Sequence, residues 1–186
     1  MKKLFPILLM VLGVAFLAAG GYAVYRGVDA HNQVSDELAA QNITTPEDAS
    51  IPNATVDDAA TARSMAEIIE VHALESTGGL TYAEMGRFAT PDGDPAGTSN
   101  EEEAMIGSDG RPVPNNARNT AFQASALRTS LFSSVMAFEV STLVVGIGAL
   151  LFVLGFAVGG VGVALAGLAL PKFAEKFHVE PVASAH

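Results

Sequence analysis

The stretch LFSSVMAFEVSTLVVGIGALLFVLGFAVGGVGVALAGLAL, residues 131–170, runs for 40 residues with a single charge, Glu139. A hydrocarbon core of ~30 Å is crossed by ~20 residues at a helical rise of ~1.5 Å, so this block is about twice as long as one span needs. Either one helix projects from the bilayer, or a turn at Gly159-Gly160 or Gly162 divides the block into two spans. Glycine is common in membrane helices and does not by itself break one. The block is therefore read as one long, glycine-rich transmembrane helix, with two short spans as the alternative. On the first reading Glu139 lies near the outer headgroups, as an interfacial or partner-paired carboxylate, and the membrane core falls at about Ser141 to Gly162.

At the other end of the chain, LFPILLMVLGVAFLAAGGYAVY, residues 4–25, has no charge in 22 residues and follows Met-Lys-Lys. It exceeds the ~7–15 apolar residues of a secretory signal and suits an uncleaved signal anchor. Lys2 and Lys3, in the short N-terminus 1–3, are expected on the cytoplasmic side, with Tyr22 and Tyr25 at the outer interface. The tail 171–186 carries Lys172 and Lys176 beside Phe173 and Phe177, a pattern suited to an inner-leaflet surface. An even number of spans returns it to the cytoplasm. The expected fold is an all-α membrane protein with two transmembrane helices, three being the alternative, in the cell membrane. Its central segment, mostly helical and partly flexible, is expected outside the cytoplasm.

That central segment, residues 26–130, holds 17 acidic residues against six arginines, a formal charge of −11. Nucleic acid and anionic lipid surfaces call for basic patches and are poor partners for it. A basic protein surface or metal ions fit better. The chain contains no cysteine, which excludes disulfides, thiolate metal sites, iron–sulfur clusters and cysteine nucleophiles.

Within the segment, residues 28–41 continue the first helix outward. NITTPEDASIPNATV, with Pro46 and Pro52, reads as an extended connector or short strand. A helix then starts at Asp57 or Asp58 and stops at Gly78-Gly79, where glycine is expected just past a helix end. Thr81 with Glu84 forms a capping-box pair. Residues 89–114 are rich in Pro, Gly, Asp and Glu, and are expected to form a flexible or partner-ordered insertion because they offer little apolar surface to offset ordering entropy. From Asn115 or Asn116 a helical run leads into the second apolar block. Along it Ala121, Ser125, Thr129, Ser133, Ala137 and Ser141 recur every four residues, a ridge of small side chains suited to helix packing, and Gly155 and Gly159 add a GxxxG.

Candidate chemistry is sparse. No GxSxG, phosphate loop or HExxH is present. His31, His72 and Glu75 are the residue types of a two-histidine, one-carboxylate iron site, but no apolar core is expected around them, so no catalytic, cofactor-binding or metal residue is assigned. A membrane-anchored iron-dependent dioxygenase is the enzymatic alternative, and an envelope sensor or chaperone a third.

ITTPEDAS (43–50), IIEVHALESTGGLTYAEM (68–85) and ALRTSLFSSVMAFEV (126–140), in this order between two membrane blocks, resemble a group of small actinobacterial membrane proteins often labelled aromatic ring-opening dioxygenase. The insertion at 89–114 and the extension after Phe156 depart from that pattern. The resemblance extends to the association-factor accessory subunit of the actinobacterial cytochrome bcc–aa3 respiratory supercomplex. It implies a non-catalytic subunit that helps hold a menaquinol–cytochrome c reductase to an aa3-type cytochrome oxidase. It also implies that haem, copper and menaquinone belong to neighbouring subunits.

Overall fold

The computed structural model describes residues 4–169. Three helices account for most of them: α1 (Leu4–Ala40), α2 (Ala59–Ser76) and α3 (Asn116–Ala169), with a single 3-10 turn at Tyr82–Glu84. Among the described residues there are no strands, only isolated bridges such as Thr44 with Thr55 and Phe88 with Thr98. α1 and α3 are both long and apolar enough to cross a membrane. Residues 1–3, the tail 171–186 and Leu170 lie outside the described residues, and with them the expected lysine anchors.

At 37 and 54 residues, α1 and α3 extend ~55 Å and ~80 Å. The 131–170 block belongs to one helix: α3 passes unbroken through Gly159, Gly160 and Gly162 to Ala169. α1 continues past Tyr25 into the polar run to Ala40, where Asn42, at φ 53°, takes the left-handed conformation that ends a helix. Pro6 sits in the first turn of α1, where a missing N–H costs nothing.

The ends of α2 follow its sequence signals. Asp58 caps it, accepting from the Thr61 amide at 2.7 Å, while the Thr61 hydroxyl receives the Asp58 amide at 3.2 Å. At the other end the Gly79 amide returns to the Leu74 carbonyl at 2.7 Å, with Gly78 and Gly79 both at positive φ. Thr81 and Glu84 form the expected capping box.

The chain divides into two compact units, one of residues 30–140 and the other of the residues on either side. In the 30–140 unit a small core gathers Leu38 of α1, Val56 of the connector, Ala62 and Ala66 of α2, and Leu131, Val135 and Phe138 of α3. The connector 42–57 is a folded loop rather than a strand. Its Thr45 hydroxyl accepts the Ala54 amide and donates to the Ile51 carbonyl, and the buried Ser64 hydroxyl accepts from both Ser50 and the Ile51 amide. Each buried hydroxyl is thereby satisfied.

The 89–114 stretch differs from expectation, because its backbone is not without partners. Phe88 and Thr98 exchange two bonds of 2.9 Å, Met105 donates to Ala89 and Val113 donates to Met105. Side chains of Asp94, Asn100 and Asp109 each accept an amide two residues on, the local turn chemistry of these residues. The expectation counted apolar side chains, and the order here comes from backbone pairing. The stretch is tied down by Asn115, which is almost fully buried. Its Nδ2 donates to the carbonyls of Gly86 and Pro95, while its Oδ1 accepts the Ala117 and Arg118 amides and so caps α3.

Candidate functional site

In the unit formed by residues 4–29 and 141–169, α1 and α3 run antiparallel and meet backbone to backbone. A Cβ placed on Gly155 would stand 2.7–2.8 Å from the Leu17 side chain, the Gly13 carbonyl and the Leu17 amide. One on Gly148 would meet the Gly20 carbonyl and the Val24 amide at 2.8 Å, and one on Gly162 the Met10 amide at 2.9 Å. From the other side, Gly13 faces Gly159, Gly20 faces Phe152, and Gly27 faces Ser141 and Val145 at comparably short range. Each helix thus places a glycine every seventh residue, Gly13, Gly20 and Gly27 against Gly148, Gly155 and Gly162. The side chains of Met10, Leu17 and Val24 close over the second set. A seven-residue period keeps one seam facing its partner along the helix, and missing side chains let the axes approach.

The predicted packing residues divide between different surroundings. Gly155 and Gly159 lie in the seam, and Ser141 is buried beside Gly27. Ala121 is buried and, with Ser125, lines a cavity of about 60 Å³ beside Glu70, Tyr82 and Arg128. Ser125, Thr129 and Ser133 are exposed. The Thr129 and Ser133 hydroxyls each donate at 2.8 Å to the carbonyl four residues back. Ser133 and Ala137 border a groove lined across from them by Gln33, Glu37 and Gln41 of α1. A four-residue spacing drifts around a helix, so the ridge turns through several environments instead of forming one contact. The glycine heptads in both apolar blocks were the stronger signal, and an i to i+4 search passes over them.

In the 30–140 unit the charged candidates are engaged in pairs. Glu139 accepts from Arg63 of α2 at 2.8 Å, so its partner is in its own chain, and both side chains remain largely exposed. Arg128 binds Glu70 at 2.6 Å and reaches the Ala66 carbonyl with its Nε. These pairs join α2 to α3. The exposed Arg63–Glu139 pair contributes little energy, ~0–1 kcal/mol, and acts mainly on orientation, while the Arg128–Glu70 pair is partly buried. Arg118 stacks on the Tyr82 ring at 4.0 Å from its centroid, which holds the 3-10 turn to the first turn of α3.

The residues considered for iron have separate partners. His72 Nε2 lies 2.7 Å from Asp48, and that hydrogen bond holds the Asp48 carboxyl below its usual range. His31 packs edge-on against Phe138 at 4.9 Å. Among the described residues no group of three or more His, Asp or Glu is placed to hold a metal.

These contacts also show where the three stretches 43–50, 68–85 and 126–140 come together. Asp48 of the first bonds to His72 of the second, and Glu70 of the second to Arg128 of the third. No protein-family model, curated protein or solved structure matches the chain.

Proposed function

We propose that this chain is a membrane-anchored, non-catalytic accessory subunit that helps assemble or stabilise a larger membrane complex. The observation that carries the reading is the pairing of α1 with α3. The helices spend glycines on each other and turn large apolar side chains outward, so that only 17% and 11% of their most apolar windows is buried. The core helix of a water-soluble protein is covered on most sides, and the exposed apolar faces of these two helices support a reading in which hydrocarbon or another membrane protein covers them.

Two spans, with the polar residues 30–140 held outside the cytoplasm, follow from the basic N-terminus and the positive-inside bias. On this reading the register of the seam bears on which part of α3 faces hydrocarbon. Val24 lies on Gly148 and Met10 on Gly162, so the uncharged 4–25 stretch of α1 is level with α3 from about Gly148 onward, several residues beyond the start expected from length alone. The bond of Glu139 to Arg63 on α2 supports its placement outside the hydrocarbon.

The complex we propose is a respiratory supercomplex of menaquinol–cytochrome c reductase and aa3-type cytochrome oxidase, with haem, copper and menaquinone held by the neighbours. Support for this identity is the resemblance of the three stretches that meet around α2, together with an acidic outer segment suited to basic electron-carrier surfaces. A C-terminal affinity pull-down from respiring membranes in mild detergent tests it. Haem absorption bands with reductase and oxidase peptides are expected. A colourless chain purified alone overturns the respiratory assignment.

A further inference from the structure

Beside the glycine seam the chain leaves a space that its own side chains do not fill. Within the unit of residues 4–29 and 141–169, a groove of about 270 Å³ lies between the Met10 to Leu17 turns of α1 and the Gly155 to Val163 turns of α3. Backbone forms part of its floor: Gly159 and Gly160 carry no side chain into it, and a Cβ on Gly160 would meet nothing within 4 Å. Val14, Phe156 and Val163 border it, each 61–65% exposed, so it is open from the side along its length.

The lining sets the chemistry of the occupant, and the dimensions set its shape. No lining side chain carries an oxygen or nitrogen, and the peptide groups beneath belong to the unbroken helices α1 and α3. An ordered water needs about two to four polar partners and has none here. Met10 to Leu17 and Gly155 to Val163 each run ~11 Å at ~1.5 Å per residue, so 270 Å³ over that length gives a channel ~5 Å across. Carbon atoms in contact stand ~3.5–4.0 Å apart, so this width admits a single file of methylenes. A helix of ~10–12 Å diameter cannot enter it. A methyl-branched isoprenoid is wider than the channel, and a second copy would bring the same concave surface, which cannot fill this one. Left empty, the lining would lose its dispersion contacts on one side. We infer that this groove binds one straight acyl chain of a membrane phospholipid, lying along the α1–α3 seam. The inference rests on the membrane reading above and holds whatever the identity of the complex.

The test reconstitutes the full chain in phosphatidylcholine vesicles in which a small share of the lipid carries a photoactivatable diazirine on one acyl chain, and maps the adducts by peptide mass spectrometry. Leu154 and Val161 are the controls: they lie at the same level of α3 on the side away from the groove and are 48% and 53% exposed. Adducts are expected to concentrate at Val14, Phe156 and Val163 and to be scarce at Leu154 and Val161. Gly160→Leu, which sets a side chain on the floor where a Cβ has open space, is expected to abolish this preference with helical content unchanged. Equal labelling of both sides, an unlabelled groove, or a preference that survives Gly160→Leu overturns the inference. Loss of the label to an unreactive polyprenyl phosphate, but not to added phosphatidylcholine, overturns it in favour of an isoprenoid. Alkaline carbonate extraction of the vesicles separates the two failures. A chain that washes off overturns the membrane reading itself, whereas a chain that resists extraction and is labelled evenly overturns only the acyl-chain groove.

Discussion

The same two helices are held together in different ways in the two units. Among residues 4–29 and 141–169 the contact is made by what is missing, glycine against backbone, and large side chains point away. Among residues 30–140 the contact is made by what is present: Leu38, Leu131, Val135 and Phe138 meet, and α2 is added to close the core. On the proposed membrane reading, the difference fits the solvent around each unit. In lipid, apolar side chains gain nothing by leaving hydrocarbon, so association relies on close approach and dispersion. In water, burying those side chains is itself the driving force, at roughly 25 cal/mol per Å².

The comparison breaks most readily at Phe138. It is 1% exposed, at the centre of the core and against His31, and Phe138→Ala is expected to cost about 3–5 kcal/mol. Hydrogen exchange of the detergent-solubilised chain should show α2 losing protection while the glycine seam keeps its own. Equal loss in both units means that they do not differ as described. The converse substitution, Gly155→Ile, is expected to cost about 1–3 kcal/mol or more, because the new side chain meets backbone atoms that cannot move aside. Gly160→Ala serves as its control, since nothing lies within 4 Å of a Cβ there, and it should be neutral or stabilising by up to about 1 kcal/mol. Thermal unfolding of both variants in one detergent checks the pair. A tolerated Gly155→Ile ends the claim of a backbone seam.

Asn115→Ala comes next and sharpens the account of the outer unit. The side chain caps α3 and holds the carbonyls of Gly86 and Pro95, so its removal is expected to cost about 1–2 kcal/mol. Limited proteolysis should then cut within residues 89–114 before any other part of the chain. Gly97 adds to this anchor. It has φ +61°, and a Cβ there would strike the Asn115 amide.

How much of this the sequence shows depends on the range of the interaction. The ends of α2 were legible because Asp58, Gly78 and Gly79 act on backbone groups a few residues away, and so does the Thr81–Glu84 pair, whereas the reciprocal bond from Thr61 to the Asp58 amide emerges only in the fold. The outward continuation of α1 and the start of α3 near Asn116 were legible for the same reason. Glu139 was legible as a carboxylate needing a partner, but Arg63 lies 76 residues away, and no local pattern connects them. The order in 89–114 was hidden because it depends on Asn115 and on pairing between backbone groups, to which composition is blind. The ridge from Ala121 to Ser141 was a true pattern with a misleading period: four-residue steps are easy to see in small residues, while the contact follows the seven-residue steps of Gly148, Gly155 and Gly162.

The smallest expected effect concerns acid. The Thr61 amide, then its hydroxyl, hold the Asp58 carboxyl below its ordinary value of 3.8, and the His72 hydrogen bond does the same for Asp48. A carboxylate whose pKa is lower in the folded chain stabilises it fully above the unfolded value, and this stabilisation is lost as pH falls through the folded one. The α2 cap and the tie from connector to helix should therefore hold from neutral pH to about 4 and weaken only below that. Asp58→Asn retains an oxygen that can cap the helix but cannot titrate, so it should remove the cap's part of the acid response while costing little at pH 7. Asp58→Ala should cost about 1 kcal/mol at pH 7. Amide exchange in the first turn of α2, followed from pH 6 to pH 3, distinguishes these outcomes. The seam from Gly13 to Gly20 and from Gly148 to Gly162 carries no carboxylate, and its protection should not respond to acid over the same range. A seam that loosens together with the cap would make the two units one cooperative body and remove the distinction between them.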